Sequence, residues 1–497
     1  MVEISRIVAQ NPWWKFGPDF ALYDENLRRY NEASLKIVRK SLPLSTGNIY
    51  AIHGPRQVGK TTEMKKTIQE LIRNGQDPDS ICYFSCDGVV SGKELQKVLD
   101  FFLAKLMRHE KIYIFLDEVN FVKNWVPLIK RIADEGNFGR IVIVLTGSPF
   151  GLKVHTHELI GRGIEGNRYF LRPLSFRDFI LQVSGKIAEH TPDSSLRAEL
   201  RNLRTHFETT RIDLERPMKE QLAEIERSLS YMRSLGLLFE TYLRTGGFPA
   251  VINNYLANFS KEEKIEAKFY EMFVELVVRD TLRQGKSDRI MQQVLAAILK
   301  RMGSRYDFKS LGEETEEQIS HPTILEYLRL LEDNFLIQVL YAYDFSRSSI
   351  KVKGAKKVHF LDPFIFHSFN GWIRGRPGYS LSEEFLLEEQ NSSILVEGIV
   401  QGHLARTKEI PVLKPPDRFL WFYYDRGELD FVYKRENGDF LGIEVKYRSK
   451  IGKEVYRIGS IREYLLLSKD DFDIGEDLMT VPVPVFLSLL QESEKSL

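Results

Sequence analysis

Cysteine is nearly absent: the chain has two, Cys82 and Cys86. They bracket what reads as one buried strand, so neither a disulfide framework nor a zinc site is expected, and a reduced, cytoplasmic setting is. Long apolar runs are missing too. None approaches the roughly eighteen residues a bilayer-spanning helix needs, so no membrane partner is expected. Met1-Val2-Glu3-Ile4-Ser5 lacks the basic start and apolar core of a secretory signal. Charge of one sign is also lacking: 70 Lys and Arg against 69 Asp and Glu leave a formal +1, so any nucleic-acid surface must be local. There is no internal repeat and no low-complexity tract. His155 and His157 form an H-x-H pair without an acid or cysteine at metal-ligand spacing, and read as loop or surface residues.

What is present is an ordinary globular composition, 43% hydrophobic and 28% charged over 497 residues, enough for two to four domains. Its most informative stretch is Gly54-Pro55-Arg56-Gln57-Val58-Gly59-Lys60-Thr61, continuing into Thr62. A strand-like run, residues 48–52, precedes it, and Met64, Ile68, Leu71 and Ile72 follow at helical spacing. This is the setting of a phosphate-binding G-x-x-x-x-G-K-T loop. The glycines let backbone N–H groups wrap phosphates, and the helix start adds its dipole and free donors. Lys60 would reach the β- and γ-phosphates of ATP and Thr61 would bind Mg2+.

From about residue 46 to 150, short apolar runs alternate with helices, the pattern of a parallel sheet flanked by helices. Strands are expected at 81–85, 111–116 and 141–145. Ligands collect at the carboxyl ends of such strands. There Asp117 would hold Mg2+ through water, and Glu118 would orient or deprotonate the attacking water. Thr146 and Ser148 are either hydroxyls sensing the γ-phosphate or a plain turn. Trp13 and Trp14 are expected to pack against this core, with a helix through Leu27 and Leu35 after them.

The order of these motifs, followed by Gly161-Arg162 and by Arg172-Pro173-Leu174-Ser175-Phe176-Arg177-Asp178-Phe179, resembles the archaeal and bacterial AAA-type ATPases with a C-terminal DUF4143 domain. The resemblance implies that the last stretch ends the ATPase core and that Arg162 is an arginine finger or sensor. Arg168 and Arg172 compete for that role. Whether the finger acts in its own subunit or on a neighbour in an oligomer is left open. The turn Thr245-Gly246-Gly247-Phe248-Pro249 also recurs in that family and reads as structural.

The implied architecture is α/β, in four parts: a P-loop AAA-type core over 1–183, a helical lid over 184–279, a winged helix over 280–360 and a PD-(D/E)xK nuclease-like α/β domain over 361–497. In the third part Ser320 would cap a helix with Pro322 in its first turn. That helix shows Glu326, Arg329 and Glu332, which argues against sequence-specific DNA reading. Arg347, Lys351, Lys353, Lys356 and Lys357 form a basic wing that could contact phosphates. In the fourth part, Asp430 on one strand and Glu444 with Lys446 on the next resemble the PD-(D/E)xK core. Asp430 and Glu444 would be ligands of Mg2+ or Mn2+, with Lys446 beside them and Glu397 as the helix acid.

The sequence therefore points to a Mg-dependent ATPase acting on DNA through its winged helix and nuclease-like domain. The alternative is a nucleotide switch for signalling or defence that binds a protein partner and has an inactive nuclease-like domain.

Overall fold

The computed structural model describes residues 3–89, 91–147, 156–408, 419–450, 452 and 454–493. The chain divides into two compact units, with the boundary between Arg172 and Pro173 and the second ending at Ser493.

The first unit is built on five parallel strands: β1 (Asn48–His53), β2 (Ile81–Ser85), β3 (Ile112–Asp117), β4 (Ile141–Gly147) and β5 (Arg168–Phe170), in the order β2-β3-β4-β1-β5. The inner strands are buried along their length, as expected where helices cover both faces of a sheet. The helices α1 (Glu25–Glu32), α2 (Lys60–Arg73), α3 (Gly92–Leu106) and α4 (Val126–Asp134) belong to this unit. The expected helix through Leu35 ends earlier, at Glu32, and Leu35 is buried outside it.

β2 is an edge strand, and the N-terminal segment covers it with side chains rather than another strand. Asn11 donates to the carbonyl of Tyr83 and accepts from its N–H, at 2.8 and 2.7 Å. Gln10 accepts from Ser85 N–H at 2.7 Å, and both Trp13 and Trp14 donate to the carbonyl of Ile81. Backbone groups that would otherwise template another chain are thereby satisfied. This is the packing role expected of the tryptophan pair. Both cysteines are free and buried.

In the second unit a set of helices includes α5 (Phe176–His190), α6 (Ser194–Thr209) and α7 (Met232–Thr245). Then come α8 (Asp288–Lys300), α9 (Phe308–Glu313) and α10 (His321–Asp333), followed by β6 (Ile337–Tyr341), β7 (Tyr343–Asp344), β8 (Ser349–Ile350) and β9 (Lys356–Phe360). β6 and β9 pair antiparallel, with Val339 opposite Val358. Ser320 stands at the start of α10, but its hydroxyl meets Thr323 at 3.0 Å and caps no N–H. After α11 (Pro363–Ile373) and α12 (Glu389–Leu404) comes a six-stranded mixed sheet. Its strands are β10 (Leu420–Tyr424), β11 (Glu428–Lys434), β12 (Phe440–Lys446), β13 (Glu463–Ser468), β14 (Asp473–Ile474) and β15 (Leu478–Pro482), in the order β10-β11-β12-β13-β15-β14.

The expected boundary at 183/184 falls inside α5, and that at 279/280 inside the helix Ala267–Arg283. The stretch from Pro173 to Phe179 stands at the start of the second unit. There it meets the Gly-Gly turn. Leu174 N–H donates to the carbonyl of Gly247 at 2.8 Å, and a Cβ on Gly247 would lie 2.2 Å from the carbonyl oxygen of Leu174. Glycine is required at 247 by this close approach.

Candidate functional site

The loop after β1 turns through positive φ at Gln57 and Gly59 and enters α2 at Lys60 with no side chain capping the helix start. Its N-terminal N–H groups are therefore not taken by a side-chain cap, as phosphate binding at a helix start requires. Gly54 packs against β5: a Cβ there would lie 2.2 Å from the carbonyl oxygen of Leu171. Lys60 is buried, and its ammonium donates to the carbonyls of Gly54 and Pro55, both at 3.0 Å.

The sheet order places the ends of β3, β4 and β1 side by side, which brings residues far apart in sequence onto one carboxylate. Asp117 accepts from the Thr61 hydroxyl at 2.6 Å, from the Tyr83 hydroxyl at 3.0 Å and from the Thr146 hydroxyl. Thr146 in turn accepts from the Glu118 N–H at 3.1 Å. Glu118 itself adopts left-handed backbone, φ 53°. Its carboxylate lies 3.0 Å from the Arg56 guanidinium and 3.9 Å from the Lys60 ammonium. Non-glycine residues at such φ are uncommon and cluster at functional sites. Burial, then the Asp117 charge, pushes the Tyr83 hydroxyl well above its ordinary pKa, so it stays a donor.

Thus Lys60, Thr61, Asp117, Glu118 and Thr146 converge. Ser148 lies outside the described residues. Tyr83 was missed, since in sequence it reads as one more core aromatic of β2. A second feature without a sequence signal is a 280 Å³ cavity beside α2, lined by Tyr30, Val38, Arg39, Glu63, Lys66 and Thr67 among others.

The three arginines separate. Arg162 is paired with Asp134, at 2.7 and 3.0 Å. Its neighbour Gly163 accepts from Ile49 N–H at the entry of β1. The phosphate loop leaves the other end of that strand, about 16 Å away at about 3.3 Å per residue. A role for Arg162 on the nucleotide of its own subunit does not fit this placement. Arg168 lies on β5 opposite Ala51. Arg172 follows Leu171, whose N–H donates to the carbonyl of His53 at 2.7 Å, and so stands beside the loop, its guanidinium over the Phe170 ring.

In the second unit β11 and β12 pair antiparallel, with Phe431 opposite Ile443, which sets Asp430 opposite Glu444. Asp430 accepts from Val445 N–H at 3.0 Å. The lysine that meets these acids is not the expected Lys446, whose ammonium donates to the carbonyls of Gly452 and Glu454 at 3.1 and 2.6 Å. It is Lys357, from β9. Its buried ammonium lies 2.8 Å from one oxygen of each of Glu397, Glu428 and Asp430. His359 stands 3.4 Å from Glu397.

Burial, then Glu397, raises the Asp430 carboxyl above its ordinary pKa; burial, then Asp430, pushes Glu444 up to about 8. Burial acts on Glu397 in the same sense, but Lys357 and His359 outweigh it and hold that carboxyl low. Among the described residues no group of three or more His, Cys, Asp or Glu is spaced to hold a metal ion. Of the acids expected to ligate Mg2+ or Mn2+, Glu397 and Asp430 are gathered with Glu428 around an ammonium instead, and Glu444 stands outside that cluster.

The expected basic wing is likewise reduced. Lys356 and Lys357 are buried, and Lys356 donates to the carbonyls of Val352 and Gly354 at 2.6 and 2.7 Å. Lys351 lies over the Tyr424 ring, which leaves Arg347 and Lys353 as the exposed cations of the five.

Residues 46–180 match the AAA domain family, and residues 236–374 match a domain of unknown function, DUF8612. The second match carries no nuclease assignment, and Glu397, Asp430, Glu444 and Lys446 lie outside both. An uncharacterized protein of Methanocaldococcus jannaschii is 23% identical over 349 residues, 68% of this chain and 66% of that protein. An uncharacterized protein of Haemophilus influenzae is 24% identical over 311 residues, 60% and 64% of the two chains. The chain spans slightly less than two thirds of the length of these relatives.

Among solved structures, the ORC2 protein of Aeropyrum pernix in its ADPNP-ADP complexes gives a TM-score of 0.32 at 13% identity, over 72% of this chain and 93% of that one. The ORC1 protein of the same organism in complex with DNA gives 0.33 at 11%, over 75% and 93%. Likenesses at these TM-scores carry no functional weight. The loop, the β3 carboxylates and Thr146 all fall within residues 46–180, the segment that matches the AAA domain family.

Proposed function

We propose that the chain binds and hydrolyses ATP with Mg2+ at the loop between β1 and α2. The observation that carries this is the meeting of Thr61, Tyr83 and Thr146 on Asp117 beside Lys60. Thr61 and Asp117 are hard oxygen donors in mutual contact, the pair that would hold the ion. Bound there with the nucleotide, Mg2+ offsets charge on the phosphate oxygens. Lys60 leaves the carbonyls of Gly54 and Pro55 to pair with the phosphates. Once Lys60 and Arg56 face phosphate, the Glu118 carboxylate is released from both and can accept a proton from water. The cavity beside α2 is near the lower end of the roughly 300–1,000 Å³ of ligand pockets and would take the nucleoside. Arg172 is the cation of this subunit beside the phosphates, and Arg162 serves a neighbouring copy in an oligomer.

Downstream of hydrolysis, the chain acts on DNA through residues 280–360, read as a winged helix, and 361–497, read as a PD-(D/E)xK-like domain. Support comes from the order of α8, α9 and α10 before the β6–β9 pair, and from exposed Arg347 and Lys353. A second reading is a nucleotide switch that binds a protein partner, with the nuclease-like domain inactive. The burial of Lys356 and Lys357 favours it, because it removes two cations from the DNA surface. ATP hydrolysis by wild type and Lys60→Ala, with and without single-stranded, double-stranded and branched DNA, tests both. Hydrolysis that Lys60→Ala leaves intact would refute the ATPase reading. Hydrolysis indifferent to DNA, with no binding at low salt, would leave the protein-partner switch.

A further inference from the structure

We propose that Lys357 is the resident cation of the carboxylate cluster formed by Glu397, Glu428 and Asp430, so that this cluster takes no divalent metal while Lys357 is present. The inference goes beyond the ATPase reading and opposes the metal-ligand role expected of Glu397 and Asp430.

The geometry is that of an ammonium, not of a metal ion. An ammonium has three N–H donors, and the cluster offers Lys357 three carboxylate oxygens, each at 2.8 Å. That separation is normal for charge-assisted N–H···O contacts, whereas Mg2+ requires oxygens at about 2.0–2.1 Å. The donors are thus saturated and the cavity they define is too wide for the smaller ion. Lys357 is also fixed from below: it lies on β9, paired with β6, and all five residues of β9 are buried.

A lysine at the surface would swing aside for a metal. This one would have to leave a buried site and strand its charge, which costs more than the exchange returns. The remaining contacts complete the enclosure. Arg305 pairs with the other oxygen of Glu428, and His359 stands beside Glu397. Burial works against the charge on Lys357, but Asp430, Glu397 and Glu428 outweigh it and keep the ammonium protonated.

The converse is that without the ammonium the three carboxylates have no counter-charge and are free to draw inward onto a divalent ion, which their present spacing does not admit.

The test uses the full chain without nucleotide, carrying Asp117→Asn so that the loop contributes no metal. Mn2+ is titrated, and the loss of its free EPR signal is recorded together with thermal unfolding. With Lys357 intact, the chain is expected to take up no Mn2+ at millimolar metal that Glu397→Gln abolishes. Lys357→Met is expected to take up a single equivalent, to gain thermal stability with it, and to lose both when Glu397→Gln is added. Uptake with Lys357 intact that Glu397→Gln abolishes would overturn the proposal. A folded Lys357→Met that takes up none would overturn it equally. Should Lys357→Met fail to fold, the titration with Lys357 intact still decides. None of these outcomes depends on ATP hydrolysis, so the two readings fail separately.

Discussion

At the end of β3, Asp117 and Glu118 stand near Lys60; in the second unit, Asp430 of the C-terminal sheet and Glu397 of α12 stand near Lys357 of β9. The ingredients are alike and the arrangements differ. Lys60 touches loop carbonyls and is still 3.9 Å from Glu118, while Asp117 is held by three neutral hydroxyls. Those contacts can be traded for phosphate and Mg2+ without stranding a charge. Lys357, by contrast, gives all three of its donors to carboxylates at 2.8 Å. A cluster of acids beside a lysine is therefore ready for a cation only where the lysine has not already become that cation.

The comparison breaks first on stability. Lys357→Ala leaves Glu397, Asp430 and Glu428 buried without their partner, and should cost about 3–5 kcal/mol. Lys446→Ala removes an exposed ammonium bonded to two carbonyls and should cost less than about 1 kcal/mol. Hydrogen exchange at β11 and β12 amides reads both. Equal losses would return Lys446 to the centre of the site. The next effect is on turnover: Lys60→Ala and Asp117→Asn should each reduce ATP hydrolysis by about a hundredfold or more, while Lys357→Met leaves it within about twofold. Steady-state phosphate release in the same preparations checks this.

Much of the first unit was legible because a buried parallel sheet writes itself as unbroken apolar runs, and β1 to β4 fall within two residues of their expected ends. Lys60 and Thr61 were expected from a local loop motif and Asp117 from the polar end of an apolar strand, and the structure brings Thr61 onto Asp117. What failed was side-chain direction over long separations. Tyr83 reaches Asp117 across 34 residues and reads as core. Lys357 reaches Asp430 across 73 and reads as a wing cation. The signal was present in Lys356-Lys357-Val358-His359-Phe360: polar residues in a strand with apolar neighbours have to be satisfied if both faces are covered. Which acids would satisfy them was not encoded nearby. For Arg162 the family order says nothing about which end of β1 it meets, so the sequence leaves open whether it serves its own subunit or a neighbour.

A third, smaller effect separates the clusters by pH. Glu444 holds its proton to about pH 8 in the folded chain, against an ordinary value of 4.5. Its folded pKa is raised, so its contribution is full below the unfolded value and is lost as pH rises through about 8. Between those limits stability should fall by up to about 1.4 kcal/mol per pH unit from this group. Thermal unfolding from about pH 6 to about pH 9 should therefore show a decline that Glu444→Gln flattens. An unchanged slope in Glu444→Gln would place the ionised form in the fold after all.

The last comparison is between Arg172, beside the loop, and Arg162, at the far end of β1. Each substitution to Ala should reduce hydrolysis by about tenfold, the worth of one charge-assisted contact of about 1.4 kcal/mol. Their difference appears on mixing. A subunit with Arg162→Ala keeps an intact loop, and a subunit with Lys60→Ala keeps an intact Arg162. If Arg162 acts on a neighbour, equal amounts of the two should together hydrolyse more ATP than the sum of each alone. Arg172→Ala mixed with Lys60→Ala should give no such gain, because Arg172 and the loop it serves belong to the same chain. Absence of rescue for Arg162→Ala at every protein concentration would refute its action on a neighbour, and rescue of Arg172→Ala would make Arg172 the donor across the subunit boundary.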